Sequence, residues 1–237
     1  CDPRLLDWGG KSGSRRAFRG AGVDLPDGVE DLRDSADLAA ALAALKARNR
    51  SLGRAVVKLN QGFSGEGNAV FSYAGCPDED TERWIAAHLP LNLAMEARDL
   101  GWERYAEKLT EQGGIVEEWI VGEGLRSPSV QMRITPLGEL ETISTHDQIL
   151  GGPSGQIFQA CTFPADAAYA LDIQALAARV GEVLKAKGVL GRFGVDFVSV
   201  PQDGGWRHRA IEINLRKGGT THTFQMLQFL TQGRYDA

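Results

Sequence analysis

The residues best suited to chemistry lie near the C-terminus, in two strand-like runs that flank a turn signal at residues 201–205. If the runs pair antiparallel about Gly204, Asp196 lies directly opposite Glu212. Asn214 then lies two residues further along on the same face. Two acids on one face repel each other unless a cation lies between them. Carboxylate and amide oxygens of this kind suit Mg²⁺ or Mn²⁺, usually with nucleotide phosphates completing the coordination.

The opposite face of this predicted hairpin is apolar and is expected to face the core, so the acids are expected on the face away from the core. Its predicted pairs are Phe193 with Leu215, Val195 with Ile213, and Phe197 with Ile211. A solvated sheet face that carries acids is the alternative interpretation. Arg216, Lys217 and a pair of glycines follow directly and supply anion-binding groups, which favours a metal that binds phosphates.

Composition narrows the class of protein. The chain has 237 residues, 43% of them hydrophobic and 24% charged, which is ordinary for one large or two small globular domains. A net charge of −5 argues against a general nucleic-acid binder. The sequence shows no membrane-length apolar run and no signal peptide. Three cysteines without metal-ligand spacing indicate free thiols in a reducing compartment, so we expect a cytoplasmic protein without a membrane partner.

A glycine-rich hairpin is predicted in the first half of the chain. Residues 54–60 form a strand with Lys58 near its end, and residues 69–73 form the return strand after a loop with three glycines. Glycines let backbone N–H groups approach phosphate oxygens closely, and the lysine adds a positive charge. A plain flexible loop explains the same residues, so this signal needs support from elsewhere.

The remaining patterns indicate an α+β fold. Helices are predicted at residues 11–19, from Ser35 as N-cap, and at 81–88, 91–112, 166–187 and 221–231. Strands are predicted at residues 115–120, 127–135, 139–149 and 156–163. The composition becomes strand-rich near residues 114–122, where we expect a boundary between two subdomains.

Taken together, these features resemble the ATP-grasp superfamily over nearly the whole chain. The resemblance rests on the order Lys11, Val57-Lys58 with the glycine loop, Glu117-Glu118-Trp119-Ile120, and Asp196, Glu212 and Asn214. A segment reading IEINLRKGGTTHTFQMLQFL is most similar to a peptide-ligase branch that includes the ligase of pheganomycin biosynthesis. The resemblance implies two α+β subdomains, residues 1–115 and 116–237, with a nucleotide held between two antiparallel sheets.

The resemblance also implies site residues. ATP and Mg²⁺ (or Mn²⁺) are the implied cofactors, with Asp196, Glu212 and Asn214 as metal ligands. Lys58 and Arg216 would be catalytic, with Arg216 over the reacting carbonyl. The implied nucleotide-binding residues are Lys11, Lys58, Gly62, Ser64, Gly65 and Gly67 at the phosphates, Glu117, Glu118, Trp119 and Ile120 at the adenine, and Glu123 at the ribose. Backbone groups of Glu118 and Ile120 would read the adenine edge. Four further residues would line the acceptor pocket or serve only in structural hydrogen bonds: Arg133, His146, Asp147 and His222.

The implied activity is an ATP-dependent carboxylate–amine ligase that forms an amide or peptide bond through an acylphosphate. Its partners would be a small-molecule carboxylate and an amine, each an amino acid or peptide. An ATP-grasp phosphotransferase, or a nucleotide-binding module without catalysis, are the alternatives. Because relatives carry a preceding domain that contributes to the substrate site, we expect that an N-terminal domain is missing or that copies of the chain associate.

Overall fold

The computed structural model describes residues 2–62, 67–97 and 99–233. The chain divides into two compact units, each with its own hydrophobic core. The first unit comprises Cys1–Leu25, Gly122–Leu150 and Gln159–Ala237, and the second comprises Pro26–Val121 and Gly151–Phe158. Within the described residues, each unit is built on one five-stranded antiparallel sheet with helices, so the predicted α+β class is confirmed.

The second unit contains the first half of the elements. Its strands are β1 (Gly28–Leu32), β2 (Arg54–Leu59), β3 (Asn68–Ser72), β4 (Leu93–Met95) and β5 (Gly114–Glu118), in the order β1-β5-β2-β3-β4. Its helices are α2 (Ser35–Arg48), α3 (Thr81–Asn92) and α4 (Trp102–Gln112). The N-cap of α2 is Asp34 rather than the predicted Ser35, because the Asp34 side chain accepts hydrogen bonds from two backbone N–H groups of the first turn.

The first unit contains a 3₁₀ helix (Pro3–Gly9) and α1 (Lys11–Ala21), followed much later in the chain by its sheet. The strands are β6 (Pro128–Ile134), β7 (Leu140–Gly151), β8 (Ile157–Thr162), β9 (Gly191–Gln202) and β10 (Gly205–Asn214), in the order β10-β9-β6-β7-β8. Helix α5 (Ala170–Ala186) precedes β9, and α6 (Gly219–Leu230) follows β10. No helix among the described residues is long and apolar enough to cross a membrane.

Two sequence-based predictions differ from this architecture. Residues 91–112 were predicted as one helix, but Leu93–Met95 form the edge strand β4 and α4 begins only at Trp102. Pro90 lies in the last turn of α3 and removes a backbone donor there, and Leu93 then points into the core of the second unit. A boundary between residues 115 and 116 would cut β5, which lies between β1 and β2 in its sheet. The units change over after Val121, within the range 114–122 that the composition indicated.

The N-terminal 25 residues belong to the unit that carries the C-terminal hairpin, which no local pattern indicated. Helix α1 is fastened to β10 by Ser14, whose Oγ accepts a hydrogen bond from the N–H of Ile213 at 3.0 Å. At its other end, Arg179 of α5 donates to the carbonyl oxygen of Gly22. These contacts join residues that are far apart in the sequence, so they are set by the tertiary fold. The periodicity of a single segment could not predict them.

Candidate active site: two polar sheet faces

The β9–β10 hairpin turns through Asp203 and Gly204, which both have positive φ angles (52° and 78°) as a two-residue type I′ turn requires. Gln202 therefore pairs with Gly205, one position away from the register that we predicted. A bulge between Ala210 and Glu212 shifts the register back. Beyond that bulge, the predicted pairing of Asp196 with Glu212 is confirmed.

The bulge also corrects the predicted apolar face. Phe197 pairs with Ala210, which is fully buried, and the prediction that Ile211 lies opposite Phe197 is wrong. Ile211 is the extra residue of the bulge and is only partly buried. Val195 and Ile213 face each other in the core as predicted, so the acids lie on the opposite face of the sheet.

The acidic face holds a compact cluster of polar groups. The Nδ2 of Asn214 donates to Oδ2 of Asp196 at 2.9 Å, and the Ser129 side chain also hydrogen-bonds to Asp196. Burial, and then the neighbouring negative charge of Glu212, raise the pKa of Asp196 to about 6. Ionising the Asp196 carboxyl in this cluster therefore costs free energy, and a bound cation would offset that cost.

Lys11 is the first residue of α1, and its ammonium donates to the carboxylate of Glu212. The 3₁₀ helix packs against α1 so closely that a Cβ at Gly13 would lie 1.8 Å from the carbonyl oxygen of Asp7. Glycine at this position therefore permits the close packing of the segment that carries Lys11. The structure places this lysine beside a carboxylate of the cluster; its predicted contact with ATP phosphates stays a prediction.

Arg216 lies at the exit of β10 with an exposed side chain. Its Nη2 donates to Oδ1 of Asn214 at 3.2 Å, and its Nη1 donates to the carbonyl oxygen of Lys217 at 3.2 Å. The guanidinium is therefore next to the acidic cluster, and its implied position over a reacting carbonyl stays a prediction. Glu123, predicted to hold the ribose, is exposed in a turn before β6.

The polar face continues across two more strands that sequence reasoning did not connect to it. On β6, Ser129 pairs with Asp196 and Gln131 pairs with Gly194; a Cβ at Gly194 would lie 2.6 Å from Nε2 of Gln131. On β7, His146 pairs with Ser129. The signal in the sequence is the alternation of polar residues along β6. It can be assigned to this face of the sheet only when the strands next to β6 are known.

The four predicted acceptor-pocket residues have different surroundings. Asp147 lies on the core side of β7, because neighbouring strand residues alternate between faces, and it accepts a hydrogen bond from Tyr169 at 2.5 Å. Arg133 is exposed and lies 3.8 Å from Glu141. His222 is exposed on α6. Only His146 is buried on the polar face.

The second unit has a polar sheet face of its own. Nζ of Lys58 on β2 lies 2.7 Å from Oε2 of Glu117 on β5, and both side chains are buried. Asn68 on β3 pairs with Lys58 on β2, and the backbone N–H of Glu96 donates to the carbonyl oxygen of Asn68. Glu96 is also buried, and its Oε2 has no hydrogen-bond partner in the part of the chain that the structure describes.

The segment after β5 was predicted to bind adenine through its backbone. The N–H of Glu118 donates to the carbonyl oxygen of Asp27 at 2.8 Å, so recognition by Glu118 would use its carbonyl oxygen. The Trp119 N–H donates to Arg54, whose guanidinium also lies 4.8 Å from the centre of the Trp119 ring. These contacts hold the backbone directly before Ile120 in place.

Only the base of the glycine-rich loop is described. A Cβ at Gly62 would lie 3.2 Å from the Cα of Gly67, so the two ends of the loop meet closely. The carbonyl oxygen of Gly67 accepts hydrogen bonds from the Leu59 N–H and, at 3.2 Å, from the Tyr105 hydroxyl. The predicted phosphate-binding residues Ser64 and Gly65 lie outside the described residues.

The acidic cluster suits a hard divalent cation rather than zinc. Residues 2–62, 67–97 and 99–233 contain no group of three or more His, Cys, Asp and Glu side chains placed to bind a metal. The set here is two carboxylates, Asp196 and Glu212, with the amide of Asn214. All three supply oxygen ligands, and such a set leaves coordination positions for phosphates or water, as Mg²⁺ prefers.

Comparison with known proteins agrees with this architecture. A family model described as IQCH-like, ATP-grasp matches residues 6–77 and 78–237. The chain is 35% identical to L-propargylglycine–L-glutamate ligase of Streptantibioticus cattleyicolor over 97% of its length and 45% of that protein. It is 24% identical to the IQ motif-containing protein H of Danio rerio, over 94% of its length and 24% of that protein. The chain thus spans less than half the length of these relatives.

Solved structures share the fold at low sequence identity. An N5-carboxyaminoimidazole ribonucleotide synthetase in complex with ADP matches 94% of this chain and 48% of its own, with a TM-score of 0.63 and 17% identity. The biotin carboxylase of Campylobacter jejuni, in a β,γ-ATP complex, matches 97% of this chain and 47% of its own, with a TM-score of 0.64 and 17% identity. On the family match and the two sheets together, this chain belongs to the ATP-grasp family, in the group described as IQCH-like.

Proposed function

We propose that this chain carries the ATP-dependent catalytic region of a carboxylate–amine ligase. The observation that carries the proposal is the pairing of Asp196 with Glu212 on one sheet face, with Asn214 hydrogen-bonded to Asp196. The relative from Streptantibioticus cattleyicolor supports it, since its name describes joining propargylglycine to glutamate. The substrates that we propose are therefore a small carboxylate and an amine, each an amino acid or peptide.

Asp196, Glu212 and Asn214 would hold Mg²⁺ or Mn²⁺. A related biotin carboxylase domain was solved with magnesium ADP, which supports this choice of metal. The bound cation would neutralise charge on the phosphoryl oxygens as the γ-phosphate is transferred. Lys11, already seated against Glu212, would add a second positive charge at the same place.

The groups of the second unit would bind ATP. Lys58 is a candidate phosphate ligand, with Glu117 orienting its ammonium at 2.7 Å. The backbone of Glu118 and Ile120 would read the adenine edge, and Glu123 would hold the ribose. The loop between Gly62 and Gly67, with Ser64 and Gly65, would close over the phosphates. ADP and ATP complexes of solved relatives support a nucleotide here.

The reaction would take two steps. An oxygen of the substrate carboxylate attacks the γ-phosphorus of ATP, and ADP leaves with the bonding electron pair. The amine nitrogen then attacks the carbonyl carbon of the acylphosphate, phosphate leaves, and the nitrogen loses a proton. Arg216 would stabilise the negative charge that develops on the carbonyl oxygen, because its planar guanidinium offers several donors in one plane. An enzyme that consumes ATP fits the cytoplasm, which we propose as its location.

The test is phosphate release by the full-length protein against a panel of amino acids, with L-glutamate as one carboxylate and with Mg²⁺ present or removed. The proposal predicts release only when Mg²⁺, a carboxylate and an amine are all present, with the condensed product detected by mass spectrometry. Release without an amine, together with a phosphorylated product, would instead indicate a phosphotransferase. ATP binding without turnover across the panel would indicate a non-catalytic module and contradict the proposal.

A further inference from the structure

The polar face of the first unit ends in two buried atoms that the acidic cluster does not use. Along one row across the sheet, Glu212, Asp196, Ser129 and His146 pair from β10 to β7. In the parallel row, Ser144 lies beyond Gln131. Nδ1 of His146 and Oγ of Ser144 have no hydrogen-bond partner among the described residues.

These two atoms are deeply buried, which makes their lack of partners informative. His146 is 1% exposed and Ser144 is 7% exposed. Buried polar atoms in folded proteins nearly always have partners, and an unpaired one costs stability. Two on one strand, both on the polar face, therefore indicate a place where a ligand supplies the missing bonds.

The other face of β7 shows that a lack of hydrogen-bond partners is not a property of the whole strand. Oγ1 of Thr145 accepts a hydrogen bond from the Ala165 N–H at 3.2 Å, and Asp147 accepts from the Tyr169 hydroxyl at 2.5 Å. Side chains of β7 that face the core thus have partners within the protein. On β7, the unpaired atoms are confined to the face that carries the acidic cluster.

Charge and shape decide what kind of group would bind. Burial lowers the pKa of His146 to about 4, so the imidazole is neutral near pH 7 and one ring nitrogen is an acceptor. A neutral acceptor favours an N–H donor over a phosphate or carboxylate. The ring of Phe163 lies 5.2 Å from the His146 ring, and Phe224 lies 5.5 Å from Phe163, so an apolar wall adjoins the acceptor.

We propose that His146 and Ser144 form the subsite for the attacking amine, with Phe163 and Phe224 against its carbon skeleton. The inference rests on the proposed ligase function and names the part of the site that binds the second substrate. His146 is two strands from Asp196, about 10 Å at the usual strand spacing. That separation leaves room for the reacting carbonyl between the amine and the phosphates.

In the second step, Nδ1 of His146 holds one proton of the amine while the nitrogen lone pair attacks the carbonyl carbon. As the new C–N bond forms, the C–O bond to phosphate breaks and phosphate leaves with its electron pair. The surplus proton passes from nitrogen to water, because an imidazole whose pKa is about 4 is too weak a base to take it. His146 and Ser144 therefore orient the nucleophile, and no further reactant is needed.

The test separates the two steps with hydroxylamine, a small nucleophile that traps acylphosphates as hydroxamates when supplied in large excess. Full-length wild type, His146→Gln and Ser144→Ala are assayed with ATP, Mg²⁺ and L-glutamate or the best carboxylate of the panel. Ligation to the best amino-acid amine is measured in parallel. We expect His146→Gln to raise KM for the amine at least about tenfold, with a several-fold smaller change in hydroxamate formation.

His208→Gln is the matched control. His208 is also buried in this sheet, with Nδ1 2.7 Å from Oγ of Ser199 and Nε2 unpaired among the described residues, but it lies on the core face. We expect this variant to keep the wild-type KM for the amine. If His146→Gln and His208→Gln change amine KM and hydroxamate formation alike, the proposed subsite is wrong.

Thermal unfolding gives a readout that does not depend on activity. Because Oγ of Ser144 has no partner in the described structure, Ser144→Ala should melt at or above the wild-type temperature; a clear fall would show a structural role and overturn the assignment. If wild type forms neither hydroxamate nor ligated product with any substrate pair, the proposed function fails, and the subsite fails with it. Hydroxamate formation with an unchanged amine KM in both variants refutes the subsite alone.

Discussion

Each unit contains a buried pair of lysine and glutamate, and the two pairs differ in their surroundings. In the second unit, Lys58 and Glu117 are 9% and 2% exposed and lie on a face of buried sheet. In the first unit, the Lys11 side chain is 6% exposed, but Glu212 is 27% exposed and faces a second carboxylate, Asp196. The Lys58–Glu117 pair of the second unit is closed, and the Lys11–Glu212 pair of the first unit is open on one side to further ligands.

The difference explains why we assign the metal to one unit only. Lys58 and Glu117 balance each other's charge at 2.7 Å. In the first unit the lysine reaches one carboxylate of two, and the pKa of Asp196 is raised by burial and by Glu212. Carboxylates held together at such a cost are more typical of cation sites than of structural ion pairs. The predictions below test that contrast.

The largest effect is expected from the open cluster. Asp196→Asn or Glu212→Gln removes a charge that the proposed metal would need, so ATP turnover should fall by at least about 100-fold, or roughly 3 kcal/mol of transition-state stabilisation. Asp203→Asn is the matched control, since Asp203 is an exposed carboxylate in the turn of the same hairpin and Asn tolerates its positive φ. Near-wild-type turnover in both cluster variants would refute the metal assignment.

The second effect concerns stability and should be larger in the closed pair. Lys58→Met removes the ammonium 2.7 Å from a glutamate that is 2% exposed, which should cost about 3 kcal/mol in free energy of unfolding. Lys11→Met should cost about 1 kcal/mol, because water reaches Glu212. Urea unfolding measures both, and the exposed Arg104→Met should leave the midpoint unchanged. Equal losses in the two lysine variants would remove the distinction between closed and open.

The smallest effect is a pH dependence that belongs to the first unit. Burial lowers the pKa of His146 from 6.5 to about 4, so below pH 6.5 the unfolded chain binds a proton that the folded chain does not. Stability should therefore fall as the pH falls from about 6.5 to 4, by at most about 1.4 kcal/mol per pH unit through this residue. His146→Gln should remove this fall from the profile in urea unfolding and leave the opposite contribution of Asp196, whose raised pKa favours the folded state as the pH falls through about 6. An unchanged slope would show that His146 titrates normally.

The hairpin shows how far sequence alone could go. Pairing the two alternating runs about Gly204 predicted Asp196 opposite Glu212, although the turn itself is formed by Asp203 and Gly204. The bulge at Ile211 could not be predicted. A two-residue turn is compatible with the pairing of Asp196 and Glu212 only if one strand carries an extra residue, and nothing in the local sequence marks which residue that is. Turn chemistry fixes a hairpin, and packing of Ala210 against the core decides its details.

Elsewhere the sequence was less informative, for physical reasons. Strand β1 contains Glu30 and Asp31 and lacks an apolar alternation, so it forms only because β5 lies beside it. The three residues of β4 are too short for a period to be visible. Polar residues of β6 and β7 belong to the site through cross-strand neighbours far away in sequence, which is why Ser129, Gln131 and Ser144 were missed.

The most direct measurement is Mn²⁺ binding by the full-length protein in the presence of a non-hydrolysable ATP analogue, followed by the loss of free Mn²⁺ signal in electron paramagnetic resonance. The account predicts saturable binding in wild type and Asp203→Asn, weakened at least about tenfold in Asp196→Asn and Glu212→Gln. Equal Mn²⁺ affinity in all four proteins would contradict a metal site on the β9–β10 face.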